Sequence, residues 1–262
     1  MKKLQIFQVD AFADQVFKGN PAAIVLVEGE LSDDQMQSIA TENNLSETAF
    51  VTPGGEGFGL RWFTPNMEVD LCGHATLASA YVLFETGLAE GGQVSFETLS
   101  GCLKVVREGD WLSMDFPSRK PEPGAVPAGL PQIFGASPTE VLQSRDLLLV
   151  FDVEETVAKL EPDFAGIAAL DAFAVIVTAP GNEVDFVSRF FAPKAGIPED
   201  PVTGSAHCTL IPFWADRLGK SKLLARQISK RGGDVKCENR GDRVIISGRA
   251  VEYLRGEIHL KS

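Results

Sequence analysis

The chain has 262 residues, of which 44% are apolar and 23% charged, with a formal net charge of −12. That length accommodates one large domain or two of about 130 residues, and the composition excludes a disordered chain. The acidic balance and the scattered Lys and Arg exclude a nucleic-acid surface, since phosphate binding needs clustered cations.

The chain starts in strand-like sequence at Met1-Lys2-Lys3-Leu4-Gln5, without a secretory apolar segment. No apolar run approaches the ~18 residues that span a bilayer. Four cysteines, Cys72, Cys102, Cys208 and Cys237, lack CxxC spacing. They predict neither a disulfide framework nor a zinc site, and each is expected as a small buried thiol. A cytoplasmic protein with no membrane partner is expected.

A first helix is predicted to open at Ser32, with Asp33 and Asp34 in its first turn and Met36, Ile39 and Ala40 facing inward. A strand follows over Leu45–Val51, then a hairpin turn over 54–59, which lacks the order and the following helix of a dinucleotide loop. A second helix runs from about Gly73 to Gly87 and a counterpart from Gly204 to Gly219. Both are apolar on nearly all sides, hence buried, and both stop at Gly.

Three pairs of segments repeat in the same order. Ser38-Ile39-Ala40, leading to Ala49-Phe50-Val51-Thr52-Pro53, matches Gly166-Ile167-Ala168, leading to Val175 through Pro180. Arg61-Trp62-Phe63-Thr64-Pro65 before Gly73-His74-Ala75 matches Arg189-Phe190-Phe191-Ala192-Pro193 before Gly204-Ser205-Ala206. Gly101 through Met114 matches Gly233 through Ile246 without a gap. The repeat predicts an α+β fold of two pseudo-symmetric domains, each a curved sheet around one buried helix. Residues 1–118 form the first domain, 119–134 a Pro- and Gly-rich linker, and 135–262 the second domain.

Site candidates lie where loops enter the two buried helices, in Asp70-Leu71-Cys72-Gly73-His74-Ala75-Thr76 and Glu199-Asp200-Pro201-Val202-Thr203-Gly204-Ser205-Ala206-His207. First-turn N–H groups have no intrahelical partner and attract an anion. Two such starts, with Gly73 and Gly204 facing each other across a domain cleft, would hold a carboxylate. The plainer reading is N-capping by Asp70 and Thr203. His74 is the stronger histidine candidate, His207 the weaker, and His259 receives no role. No two histidines have ligand spacing, so no metal is expected.

Glu47 shares a strand face with Leu45, Ala49 and Val51. A carboxylate there is paired, edge-exposed or functional, and burial would move its pKa toward the range useful for acid/base work. The aligned residue in the second half is Phe173, which fits an apolar setting. Cys72, two residues before His74, suggests a thiol hydrolase or a thiol racemase. A two-thiol racemase needs a second thiol in the other half, where Thr203 stands.

These motifs resemble the phenazine-biosynthesis PhzF-like isomerase family. The matching stretches are Phe17-Lys18-Gly19-Asn20-Pro21-Ala22-Ala23, Asn44 through Phe50, Arg61 through Pro65, Leu71 through Thr76 and Asp200 through Ala206. The resemblance implies a diaminopimelate epimerase-like fold, in which the C-terminal strand often returns to the first domain. It implies Glu47 as the acid/base, supported by His74, Asp200 and Ser205. Asn20, in the first matching stretch, and the two helix-start glycines, Gly73 and Gly204, complete the expected site. No metal or organic cofactor and a homodimeric state are implied. The expected function is isomerisation of a small carboxylate by proton transfer. The rivals are a racemase or epimerase using Cys72, and a binding protein of the same fold.

Overall fold

The computed structural model describes residues 2–55 and 57–260. The chain divides into two compact units, Met1–Asp115 with Ser247–Ser262, and Phe116–Ile246.

The first unit contains β1 (Lys2–Ala11), β2 (Asn20–Leu26), α1 (Asp33–Asn43), β3 (Glu47–Pro53), β4 (Phe58–Phe63), β5 (Glu68–Val69), α2 (Gly73–Glu85), β6 (Gln93–Thr98) and β7 (Gly101–Glu108). Strand β8 (Trp111–Pro117) then leads into the second unit. That unit contains β9 (Glu122–Pro123), α3 (Leu130–Phe134), β10 (Glu140–Gln143), β11 (Leu147–Val150), α4 (Glu154–Lys159), α5 (Phe164–Ala169), β12 (Val175–Pro180), β13 (Phe186–Ala192), β14 (Ile197–Asp200), α6 (Gly204–Leu218), β15 (Lys222–Gln227) and β16 (Gly233–Asn239). Strand β17 (Arg243–Gly248) leads back, and β18 (Ala250–Leu260) ends the described chain.

The repeat appears as a repeated strand order. In the first unit β2 runs parallel to β3, β3 antiparallel to β4, β4 antiparallel to β5 and parallel to β6, and β6 antiparallel to β7. The second unit repeats these relations with β11, β12, β13, β14, β15 and β16. Each unit folds its strands over one long helix whose residues are mostly buried, α2 in the first and α6 in the second. Alanines at 75, 78 and 80 let strands approach α2 closely, whereas Trp214 of α6 stacks on Phe186 and donates from Nε1 to Thr178 Oγ1 at 3.0 Å.

Helix α1 starts as expected. Ser32 Oγ accepts from Gln35 N, and Gln35 Oε1 accepts from Ser32 N, a reciprocal cap that satisfies two end donors. Its buried residues are Met36, Ile39 and Ala40, packed with Leu4, Val25, Phe50 and Phe63.

The domain limits differ from the expectation in two places. The final strand, β18, lies with the first unit, the return that the family resemblance allowed for, rather than within a 135–262 domain: it is antiparallel to β1, from Lys2 opposite Leu260 to Ala11 opposite Ala250. Strand β1 already pairs with β2 on its other side, so the return covers an edge that would otherwise offer unpaired backbone groups. Residues 119–134 are also more than a linker. Strand β9 pairs with β10, and Leu130 and Phe134 enter the core with Leu147, Leu149, Phe151 and Phe191. The Gly and Pro content reflects turn chemistry: Pro131 lies in the first turn of α3, and Gly129 and Gly135 take left-handed φ of 81° and 72° at its two ends.

Candidate functional site

In the first unit the parallel register of β2 and β3 sets Glu47 opposite Ala22, at the strand end near the start of α2. Glu47 and His74 are both buried, and Glu47 Oε2 lies 3.1 Å from His74 Nε2. The atoms are in ion-pair range but are not aligned as a hydrogen bond. On the opposite edge of the ring, Nδ1 lies 3.5 Å from Cys72 Sγ and 3.3 Å from Asn20 Nδ2. An amide nitrogen donates, so Nδ1 accepts and a neutral ring carries its proton on Nε2, toward Glu47. Asn20 opens β2 immediately after Gly19, whose φ is +63°. A Cβ at Gly19 would lie 2.1 Å from the Ala11 carbonyl oxygen, so only glycine makes this turn without a backbone shift.

Burial alone pushes His74 toward the neutral form, but the Cys72 and Glu47 groups beside it hold its pKa well above 6.5. Burial raises the Cys72 thiol, and the Glu47 charge raises it further. A raised thiol is protonated at neutral pH, so of these two neighbours the Glu47 carboxyl group is the one left to favour the protonated ring. The carboxylate expected on an apolar face is thus a paired one.

One ligand atom from each of Glu47, Cys72 and His74 lies within 4.8 Å of the other two, close enough to share a metal ion. The expectation of no metal rested on histidine spacing, which does not register a set of three different donors. All four cysteines are free thiols, and Cys102 departs from the expectation in being exposed.

In the second unit Asp200 ends β14 and is buried, Gly204 opens α6, and Ser205 is half-buried in its first turn. Thr203 Oγ1 donates to Asp200 Oδ2. Gln227, fully buried at the end of β15, accepts from Thr203 N at 2.9 Å and donates from Nε2 to the Asp200 carbonyl at 2.7 Å. The side-chain capping considered for Asp70 and Thr203 is absent. Cys72 occupies the N-cap of α2 without a capping bond, and the Thr203 hydroxyl is turned to Asp200. His207 is a core histidine. It lies against Phe186 and donates from Nδ1 to the Thr203 carbonyl at 2.8 Å, and burial pushes its pKa down to about 4.

The pairing of Glu47 with Phe173 in the repeat also needs correction. Thr48 lies opposite Phe63 as Val175 lies opposite Phe191, so the strand register matches Glu47 with Ala174. Ala174 is buried, whereas Phe173 is 48% exposed beneath the Arg145 guanidinium. The chemical asymmetry survives, since alanine carries no proton.

Each site loop is anchored by an arginine fork that the sequence reading quoted only as part of a match. Arg61 grips Glu68 through Nε and Nη2 at 2.6 and 2.8 Å, two residues before Asp70. Arg189 grips Glu199 at 2.7 and 3.0 Å, one residue before Asp200, and donates to the Val157 and Leu160 carbonyls. Gln227 was also missed, although alternation signalled it: it follows buried Leu223 and Ala225 on the inward face of β15.

Among the described residues, no helix is long and apolar enough to cross a membrane. The model of the family described as phenazine biosynthesis-like protein, PhzC-PhzF, matches residues 9–256. The chain is 53% identical to an uncharacterized isomerase from Pseudomonas aeruginosa, over 98% of this chain and all of the relative. It is 48% identical to the crystal structure of a PhzF-family phenazine biosynthesis protein from Enterococcus faecalis, with a TM-score of 0.97 over 99% of this chain and all of that one. A predicted epimerase from Pseudomonas aeruginosa, 20% identical with a TM-score of 0.74 over 98% of this chain and all of that one, shares the fold. The family match over residues 9–256, the identity over nearly the whole chain and the shared fold together show that this chain belongs to the phenazine biosynthesis-like PhzC-PhzF family.

Proposed function

We propose that the chain is a cofactor-independent isomerase that moves a proton on a small carboxylate substrate, with Glu47 as the single acid/base. The observation that supports this reading is the buried Glu47 carboxylate 3.1 Å from His74 Nε2. Glu47 takes a proton from a carbon acidified by its neighbouring groups and returns it elsewhere on the same face. His74 orients the carboxyl group and stabilises its anionic form before the first transfer and after the second. Asn20 holds the ring edge opposite Glu47. The N–H groups at Gly73 and Gly204 are assigned to the substrate carboxylate, and Asp200 and Ser205 to its polar substituents. The uncharacterized isomerase named among the relatives agrees with this reaction class.

A second reading keeps Cys72 as the base of a racemase or epimerase, favoured by its sulfur lying 3.5 Å from His74 Nδ1. Two observations weigh against it. Burial raises the thiol pKa, and Thr203 occupies the corresponding N-cap of α6. A cytoplasmic homodimer completes the proposal, and light scattering at micromolar concentration that gives a single-chain mass would remove the dimer.

The test is a screen of cyclic and amino-acid carboxylates for solvent-deuterium incorporation by mass spectrometry. The isomerase reading expects exchange at one carbon of at least one compound together with a rearranged product. Binding without exchange across the panel would favour a binding protein of the same fold.

A further inference from the structure

Strand β15 alternates Leu223, Ala225 and Gln227 on its inward face, and Gln227 is a fully buried amide on an otherwise apolar surface. Burying an amide without partners costs several kcal/mol, and this one is satisfied entirely by the loop that carries Asp200. Its Oε1 accepts from Thr203 N at 2.9 Å. Its Nε2 donates to the Asp200 carbonyl at 2.7 Å and to Thr203 Oγ1 at 3.2 Å.

The directions of these bonds are determined. An amide turned end for end would set carbonyl against carbonyl and N–H against N–H, so the orientation of Gln227 is unique. A hydroxyl has one proton. Thr203 Oγ1 receives a bond from Gln227, which leaves that proton for Asp200 Oδ2, the contact observed. The chain of donors therefore runs one way, from Gln227 through Thr203 to the Asp200 carboxylate.

The first unit lacks this arrangement. Thr98 opposite Gly101 holds the place that Gln227 opposite Gly233 holds, and its hydroxyl donates locally to the Gly101 carbonyl at 2.7 Å. Val69, opposite Trp62 as Asp200 is opposite Phe190, holds the place of Asp200 and carries no carboxylate, and the next residue, Asp70, is exposed. The fold thus forms the same loop without the relay, so fold formation alone does not account for it.

We propose that Gln227, acting through Thr203, is a positioning residue that fixes the Asp200 carboxylate in one orientation as a hydrogen-bond acceptor. Its functional meaning rests on the assignment of Asp200 to the substrate site.

The test is a pH titration of the Asp200 side-chain carbon by NMR in the 13C-labelled full chain, with the resonance assigned through Asp200→Asn. Thr203→Ser keeps the hydroxyl and should titrate with wild type. Thr203→Val removes a donor to the ionised carboxylate and should raise the Asp200 midpoint by about one to two pH units. Gln227→Met keeps the length but carries neither a donor nor a charge, so it frees the Thr203 hydroxyl to turn from Asp200 and should raise the midpoint in the same direction. An Asp200 midpoint unchanged in both Thr203→Val and Gln227→Met would overturn the proposal. If Thr203→Val fails to fold, Gln227→Met against Thr203→Ser decides alone. The titration needs no substrate, so its failure is separable from failure of the isomerase reading, which the exchange assay judges.

Discussion

His74 Nε2 stands 3.1 Å from Glu47 Oε2, while the opposite ring nitrogen meets Asn20 and Cys72. The imidazole is thereby fixed at both edges, and its pKa is raised despite burial. A histidine whose folded pKa exceeds its unfolded value stabilises fully below the unfolded value, about 6.5, and loses that contribution as pH rises through the folded value. Wild-type stability is therefore expected to fall with rising pH on the alkaline side of about 6.5, and the corresponding slope in His74→Gln to be flatter. Urea midpoints of the two proteins across this range measure the difference, and parallel slopes would refute the pairing.

His207 carries the opposite sign. Its folded pKa of about 4 lies below the unfolded value, so the unfolded chain binds the extra proton. Its contribution is complete above about pH 6.5 and is lost as pH falls toward 4, by about 3 kcal/mol in all. His207→Gln should be less sensitive to acid than wild type over that interval. Equal acid sensitivity in thermal unfolding would show that this ring titrates normally.

The two arginine forks allow a paired comparison. Arg189 and Glu199 have side chains only 11% and 20% exposed, and two backbone carbonyls depend on the same guanidinium. Arg189→Met leaves a half-buried carboxylate unpaired and should destabilise by about 3 kcal/mol. Arg61, with a side chain 35% exposed, makes the equivalent grip nearer water, and Arg61→Met should cost about 1 kcal/mol. Denaturant unfolding of both variants tests the order, and an equal cost would contradict the burial argument.

Much of this arrangement was legible in the sequence because it follows from periodicity. Period-two alternation marked Glu47 on an inward strand face, and Ser32 with Asp33 and Asp34 marked the start of α1. The repeat anticipated two helices buried nearly all round. What escaped depends on contacts between segments distant in sequence. Nothing local to Ala250–Leu260 announces that it pairs with β1, a return that only the family resemblance suggested, and the Pro and Gly around Leu130 concealed a core helix. Pairing by similarity chose Phe173 where strand register chooses Ala174, a shift of one residue that reverses the facing of a side chain. Gln227 obeyed the same alternation argument as Glu47, yet its importance comes from a loop more than twenty residues earlier.

The central claim is that a single carboxylate both takes and gives the proton. Glu47→Gln preserves size and hydrogen bonding but removes the titrating group, whereas Cys72→Ala removes a thiol assigned to packing beside His74. The deciding measurement is the rate of solvent-deuterium incorporation in both variants, on a carboxylate found active in the screen. Glu47→Gln should lower that rate by about 10²–10⁴-fold with binding retained, and Cys72→Ala should lower it far less. Abolition of exchange by Cys72→Ala with exchange intact in Glu47→Gln would contradict the account and install the thiol as the base.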